Sequence, residues 1–204
     1  MDVSHYQGRI DWEELAAAGP AFAFLKATEG AGFRDEHFAQ NWIGAGAAGL
    51  HRGAYHFFRP HVPVEQQARN FRQTVDLRPG DFPPVLDVED RGGLSAKELV
   101  RRVRALSDLL HLHYGRRPIL YTGQHFYNRY LAGRFDDHPL WLARYGDEEP
   151  VTVCGRTYHF WQYTDRGRLP GVRGRVDRNV FLGNYLDLAL LCLPPKASGG
   201  ELAK

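Results

Sequence analysis

From Asp11 to Thr122 the sequence alternates amphipathic stretches of helical length with short apolar runs, a rhythm that commits a chain to parallel βα units. Asp11 and Glu14 form a capping box beside an Ile10/Leu15 staple, so a first helix starts at Asp11 and ends near Gly19-Pro20. A buried strand is expected over 22–27, a helix from Asp35 to about 48, and a strand over 52–58. Residues 63–74 read as helix, and 84–89 as an apolar strand that ends in acid. Ser95 with Glu98 opens the longest helix, to about 114, before a strand over 118–122.

After Thr122 the rhythm changes. A short helical piece runs to about 130, and strand-like runs at 139–143, 158–164 and 175–177 follow without long helices between them. Counted with 1–3, these strands suit a closed barrel, yet 204 residues fall short of the roughly 250 of a complete eightfold βα barrel. The expected fold is therefore α/β, an irregular TIM-like β/α barrel with helices missing in its second half. It forms a single catalytic domain over 1–193, followed by a flexible tail over 194–204 that is rich in Pro, Ser and Gly. No internal repeat interrupts it.

Composition narrows the function. Hydrophobic residues make up 43% and charged residues 25%, an ordinary globular balance, and no apolar run is long enough to span a bilayer. A net charge of +2, with arginines scattered along the chain, lacks the basic footprint of a nucleic-acid binder. Neither nucleic acid nor membrane insertion is expected, and the chain is read as a monomer. Cys154 and Cys192 are too few for a disulfide scaffold, and whether they pair is left open. No signal peptide is visible, because Asp2-Val3-Ser4 follows Met1 directly; either a leader has been removed or the protein is delivered without one.

The strongest chemical signal is Asp87-Val88-Glu89. Alternate strand residues share a face, so both carboxylates would sit at one mouth with Cα atoms roughly 6 to 7 Å apart, a spacing suited to paired carboxylates at one glycosidic bond. The competing reading is an acidic strand end that only caps a loop. Asp2 falls on the first strand and Asp177 on the last, which are neighbours in a closed barrel. With Asp87 and Glu89 they make an acidic cluster in which repulsion and burial keep one carboxyl protonated.

These residues resemble the glycoside hydrolase family 25 lysozymes, muramidases of bacterial cell walls. The resemblance runs in order through Asp2-Val3-Ser4-His5-Tyr6-Gln7-Gly8, Lys26-Ala27-Thr28-Glu29-Gly30, Gly53-Ala54-Tyr55-His56-Phe57 and Asp87-Val88-Glu89. It continues through Trp141-Leu142-Ala143-Arg144-Tyr145 and Trp161-Gln162-Tyr163 to Val176-Asp177-Arg178-Asn179. It implies Glu89 as proton donor, Asp87 as the neighbour that supports the reacting sugar, and Asp2 and Asp177 as further acids of the pocket. It also implies a peptidoglycan substrate, action outside the cell or at the wall, and retention of configuration. Participation of the substrate's acetamido group is favoured over attack by Asp87 or Asp177. Only Met1 precedes the opening motif, so the first strand is short.

Sugar rings present apolar faces, so the cleft needs aromatic walls, and Tyr55, Phe57, Tyr121, Trp141 and Tyr145 are the candidates. For Phe57 the barrel-core reading is preferred over a place in the cleft, while Trp12, Trp42 and Trp161 read as packing. The ten histidines offer no metal set: His111 and His113 diverge by about 200° on a helix, and no His-Glu-x-x-His pattern exists. No cofactor or metal is expected. Two rivals remain, a catalytically idle wall-binding module and a metal-dependent polysaccharide deacetylase.

Overall fold

The computed structural model describes residues 1–195; 196–204, most of the expected tail, lie outside the described residues. In chain order the elements are β1 (Asp2–Val3), a 3-10 turn (His5–Gln7), α1 (Trp12–Ala17), β2 (Phe22–Glu29), β3 (Phe33–Arg34), α2 (Phe38–Ala47), β4 (His51–Phe57) and α3 (Val64–Thr74). There follow β5 (Val85–Asp87), α4 (Ala96–Tyr114), β6 (Ile119–Gly123), α5 (Gln124–Phe126) running into a π turn (Tyr127–Leu131), β7 (Leu140–Ala143), β8 (Phe160–Gly167), β9 (Val176–Phe181) and α6 (Tyr185–Leu191).

Eight strands close a barrel in the order β1, β2, β4, β5, β6, β7, β8, β9, and β3 hangs from β2 as a short antiparallel flap. Pairings from β1 through to β8 are parallel; β9 runs antiparallel to both its neighbours. Helices follow the early strands, shrink to one short piece after β6, and are lacking between β7 and β8 and between β8 and β9. The irregular barrel read from the sequence is this fold.

Strand alternation sorts the core into two layers. Along β2, Phe22 and Phe24 point into the barrel while Ala23, Leu25 and Ala27 face the helices. Phe24 stacks on Trp141 with centroids 4.4 Å apart and meets Phe160 edge-on at 5.2 Å, so aromatic rings fill the lower barrel. On the outer layer His56 is buried beneath α3. The amide nitrogen of Gln67 donates to the Arg59 and Val62 carbonyls, so its oxygen accepts from His56 Nε2 at 3.0 Å, and His56 Nδ1 accepts from Thr28 at 2.7 Å. A second proton has no place on the ring in that arrangement, and burial lowers the pKa of His56 to about 4.

Several boundaries differ from the sequence reading. α2 begins at Phe38 rather than Asp35, because the Asp35 carboxylate accepts from the His37 N–H and also from the backbone N–H and Nδ1 of His5. β8 and β9 run to Gly167 and Phe181, since antiparallel pairing across two register shifts extends both. The two-residue β3 was not anticipated; it is too short to carry a pattern. β5 stops at Asp87, which leaves Glu89 two residues beyond the strand and exposed. Cys154 is exposed and Cys192 buried, and both are free.

Gly53 lies beside Phe24 in the β2/β4 register, and a Cβ there would stand 2.5 Å from the Phe24 ring and 3.3 Å from Phe82. Gly53→Ala should therefore cost about 1 to 3 kcal/mol through overpacking of the barrel interior. Denaturant unfolding should show a lower midpoint with unchanged slope; a loss below about 0.5 kcal/mol would mean that this layer is not close-packed.

Candidate active site

Above the aromatic plug the interior turns polar. Asp2, Tyr55, Asp87, Glu89, Tyr121, Trp141, Tyr145, Gln162 and Asp177 line a cavity of about 150 Å3 at the C-terminal ends of the parallel strands. All four expected acids and four of the five expected aromatic residues meet there. Phe57 does not; it lies outside the cavity between Lys26 and Arg59, with the Lys26 ammonium 5.2 Å and the Arg59 guanidinium 4.7 Å from its ring centroid. Phe57 shares the Tyr55 face of β4 by alternation, but it is the strand's last residue and is half-buried there, with the two cations packed on its ring.

The cavity is organised by two amides. Asn179 on β9 accepts from Trp141 Nε1 at 2.9 Å; because an indole only donates, the Asn179 oxygen must face Trp141 and its NH2 must face Asp2, which it reaches at 2.7 Å. Gln162 on β8 accepts through its oxygen from the hydroxyls of Tyr121 (2.8 Å) and Tyr145 (3.2 Å). Its nitrogen donates to both oxygens of Asp2 at 3.0 and 3.1 Å. Both amide orientations are fixed by their partners, and both converge on Asp2. Sequence reading quoted Gln162 and Asn179 within motifs and gave neither a role.

Asp177 faces Asp2 directly across the antiparallel β1/β9 pairing. With the donors spent on Asp2, the second carboxyl can approach only by holding a proton, and burial, then the charge of and contact with Asp2, push the pKa of Asp177 up to about 8. Asp87 is similar. Burial raises its pKa well above the ordinary carboxylate value, and the charge of Glu89 and a hydrogen bond to it add to the rise. Its Oδ1 is buried with no hydrogen-bond partner. The Tyr55 and Tyr121 hydroxyls are likewise held neutral by burial and by the surrounding acids.

Paired carboxyls at the mouth of a closed barrel, walled by aromatic rings, define a glycosidase site. The family model "Glycosyl hydrolases family 25" matches residues 1–172, and the chain belongs to that family. Asp177 and Asn179 lie beyond the matched span, on the strand that closes the barrel. Among relatives, Uncharacterized protein YegX of Escherichia coli K12 is 47% identical over 193 residues, covering 92% of this chain and 71% of the relative. Lysozyme M1 of Streptomyces globisporus is 36% identical, covering 94% and 70%. The crystal structure of the bacterial lysozyme from Streptomyces coelicolor superposes with a TM-score of 0.88 at 34% identity, covering 94% of this chain and 95% of that one.

A proton that the folded chain keeps on Asp177 up to about pH 8, and the unfolded chain gives up near the ordinary carboxylate value, makes stability fall as pH rises through that window. Asp177→Asn keeps a donor toward Asp2 and removes this penalty. Its melting temperature relative to the parent chain should therefore climb from pH 4 to pH 8. A difference that does not vary with pH would show that Asp177 is not the protonated partner.

Proposed function

We propose that the chain is a peptidoglycan muramidase, hydrolysing the β-1,4 bond between N-acetylmuramic acid and N-acetylglucosamine with retention, through the substrate's acetamido group. The carrying observation is Asp87 Oδ1, a buried acceptor with no donor, set beside Glu89 in a cavity walled by aromatic rings. An acetamido N–H is the donor that it lacks. The reading draws support from family membership and from the relatives named lysozyme.

The free enzyme holds a proton on Asp87, whose carboxyl burial keeps in the acid form. When the acetamido N–H donates to Asp87, negative charge is favoured on Asp87 and the proton passes to Glu89, the exposed member that can reach the leaving group. The acetamido oxygen attacks the anomeric carbon as the glycosidic C–O bond breaks and Glu89 protonates the departing oxygen. Asp87, now a carboxylate, stabilises the positive oxazolinium. Glu89 then takes a proton from water, which attacks the anomeric carbon and reopens the ring with net retention. Asp177 is unsuited to be the nucleophile, since its proton is held against Asp2.

Asp2 is fixed on the cavity floor by Gln162 and Asn179. Tyr55 and the exposed Tyr145 offer ring surface to the sugar, above the buried Tyr121 and Trp141. No helix among the described residues is long and apolar enough to cross a membrane. On this reading the protein acts as a monomer on glycan strands, outside the cell or where it is delivered to the wall.

Glu89→Gln should lower turnover on purified walls on the order of a hundredfold or more while leaving the melting temperature nearly unchanged, because Glu89 is exposed and its amide cannot give a proton. Near-parental turnover would remove Glu89 from the acid role. A thiazoline analogue of the N-acetyl sugar should inhibit competitively, and NMR of the first product should show the retained anomer. A glycosylated peptide containing Asp87 or Asp177, trapped and identified by mass spectrometry, would replace acetamido participation with a protein nucleophile.

A further inference from the structure

Cations stand on two sides of the cavity, and they differ in what holds them. On the β4 side, Lys26 and Arg59 each bond Glu29 at 2.8 Å. On the other side, Arg91 in the loop after β5 and Arg129 in the π turn that follows β6 and α5 meet on one ring. Their guanidinium carbons lie 5.6 and 5.4 Å from the centroid of Tyr130. Among the described residues neither has a carboxylate partner, whereas Arg101 and Arg102 on α4 are both paired with Glu98 at 2.7 Å.

Two like charges gathered on one ring without a counter-charge repel each other, and the placement of Arg91 adds a second repulsion. Its Nη1 donates to the Leu94 carbonyl at 2.6 Å, and Leu94 precedes the Ser95 cap of α4, so the cation stands at the positive end of that helix. Asp90, the acid next to Arg91 in sequence, turns its Oδ1 back to the Gly92 N–H at 2.8 Å. An anion between the two guanidinium groups relieves both repulsions.

The groups are held in place before a ligand arrives. The Leu94 bond fixes one nitrogen of Arg91 and leaves Nε and Nη2 as parallel donors, the edge that grips a carboxylate through both of its oxygens. Arg129 is exposed, and its turn is pinned by the Asn128 amide, which bonds Val151 and Val153 at 2.8 and 3.0 Å. Groups already fixed lose little freedom on binding.

The place of the pair beside the reaction defines its ligand. Arg91 is two residues beyond Glu89, so their Cα atoms are at most about 7 Å apart. In the muramidase reading Asp87, at the end of β5, holds the acetamido group on C2 of the N-acetylmuramic acid. The adjoining carbon, C3, bears the lactyl arm from which the stem peptide hangs, and that peptide carries free carboxylates. The uncompensated positive charge next to β5 is that of Arg91 and Arg129, because Lys26 and Arg59 already face Glu29.

We infer that Arg91 and Arg129 form a carboxylate clamp for the acidic stem peptide of the sugar being cut, so that peptide-bearing glycan is favoured over bare glycan. The inference rests on the muramidase reading and deepens it from the bond to the substituent beside it.

The test measures kcat/KM on uncrosslinked strands that carry stem peptides and on the same strands stripped of peptide by an amidase, and reads the ratio between them. Arg129→Ala, which removes no hydrogen bond or ion pair among the described residues, should lower that ratio about three- to tenfold, and Arg129→Glu should lower it further. Arg91→Lys keeps a charge and a donor for Leu94 but loses the two-pronged edge, and should lower the ratio as well. An unchanged ratio in both Arg129 variants would overturn the clamp. If the parent cleaves neither substrate, the muramidase reading fails, and NMR titration with an N-acetylmuramyl peptide and its carboxyl-amidated form then judges the clamp alone. Tighter binding of the acid form, lost in Arg129→Ala, would uphold it; equal binding of the two forms by the parent would overturn it.

Discussion

The carboxylate of Asp2 is the group on which both the barrel and its site depend. β1 contributes only two residues to the sheet, and backbone pairing alone gives it little purchase between β2 and β9. Asp2 adds side-chain bonds from Gln162 on β8 and Asn179 on β9, which tie three strands together at the closing seam. Each donor is itself anchored, by Tyr121 and Tyr145 in one case and by Trp141 in the other. Loss of Asp2 would strand the buried amide donor of Gln162, at a cost of about 1 to 3 kcal/mol, and free the partly buried one of Asn179. The residue that organises the cavity floor therefore also holds the barrel shut.

Fixing Asp2 in this way decides the protonation of its neighbours. Asp177 can face it only as a neutral acid, and Asp87 sits buried beside Glu89, whose charge favours the acid form of Asp87. The site consequently stores unfavourable terms: two carboxyls held neutral against their ordinary tendency and one acceptor atom with no partner. Stress of this kind is concentrated where a ligand relieves it, and the packed aromatic layer beneath supplies the rigidity that keeps it in place.

The fold was legible because its first half obeys local rules. Apolar runs at strand length, capping residues such as Asp11 and Ser95, and the helix stop at Gly19-Pro20 each point to the same parallel units. The second half was legible mainly as an absence of helices; the antiparallel turn of β9 depends on long-range pairing that no local pattern records. Within the site, the acids stood out because acid at the end of an apolar strand is conspicuous. Glu89 was placed on the strand by extrapolating period-two alternation, which fails where β5 ends at Asp87. Gln162 and Asn179 were passed over because an amide has no reactivity of its own. Their importance lies in which way each is turned, and that is set by partners from 17 to 177 residues away in sequence.

The central claim is that this cavity cuts one particular bond. Purified peptidoglycan should be digested, reduced with borohydride and analysed by mass spectrometry. The fragments should carry a new reducing end on N-acetylmuramic acid, recovered as the muramitol. New ends on N-acetylglucosamine, or release of acetate with the glycan strands left whole, would contradict it.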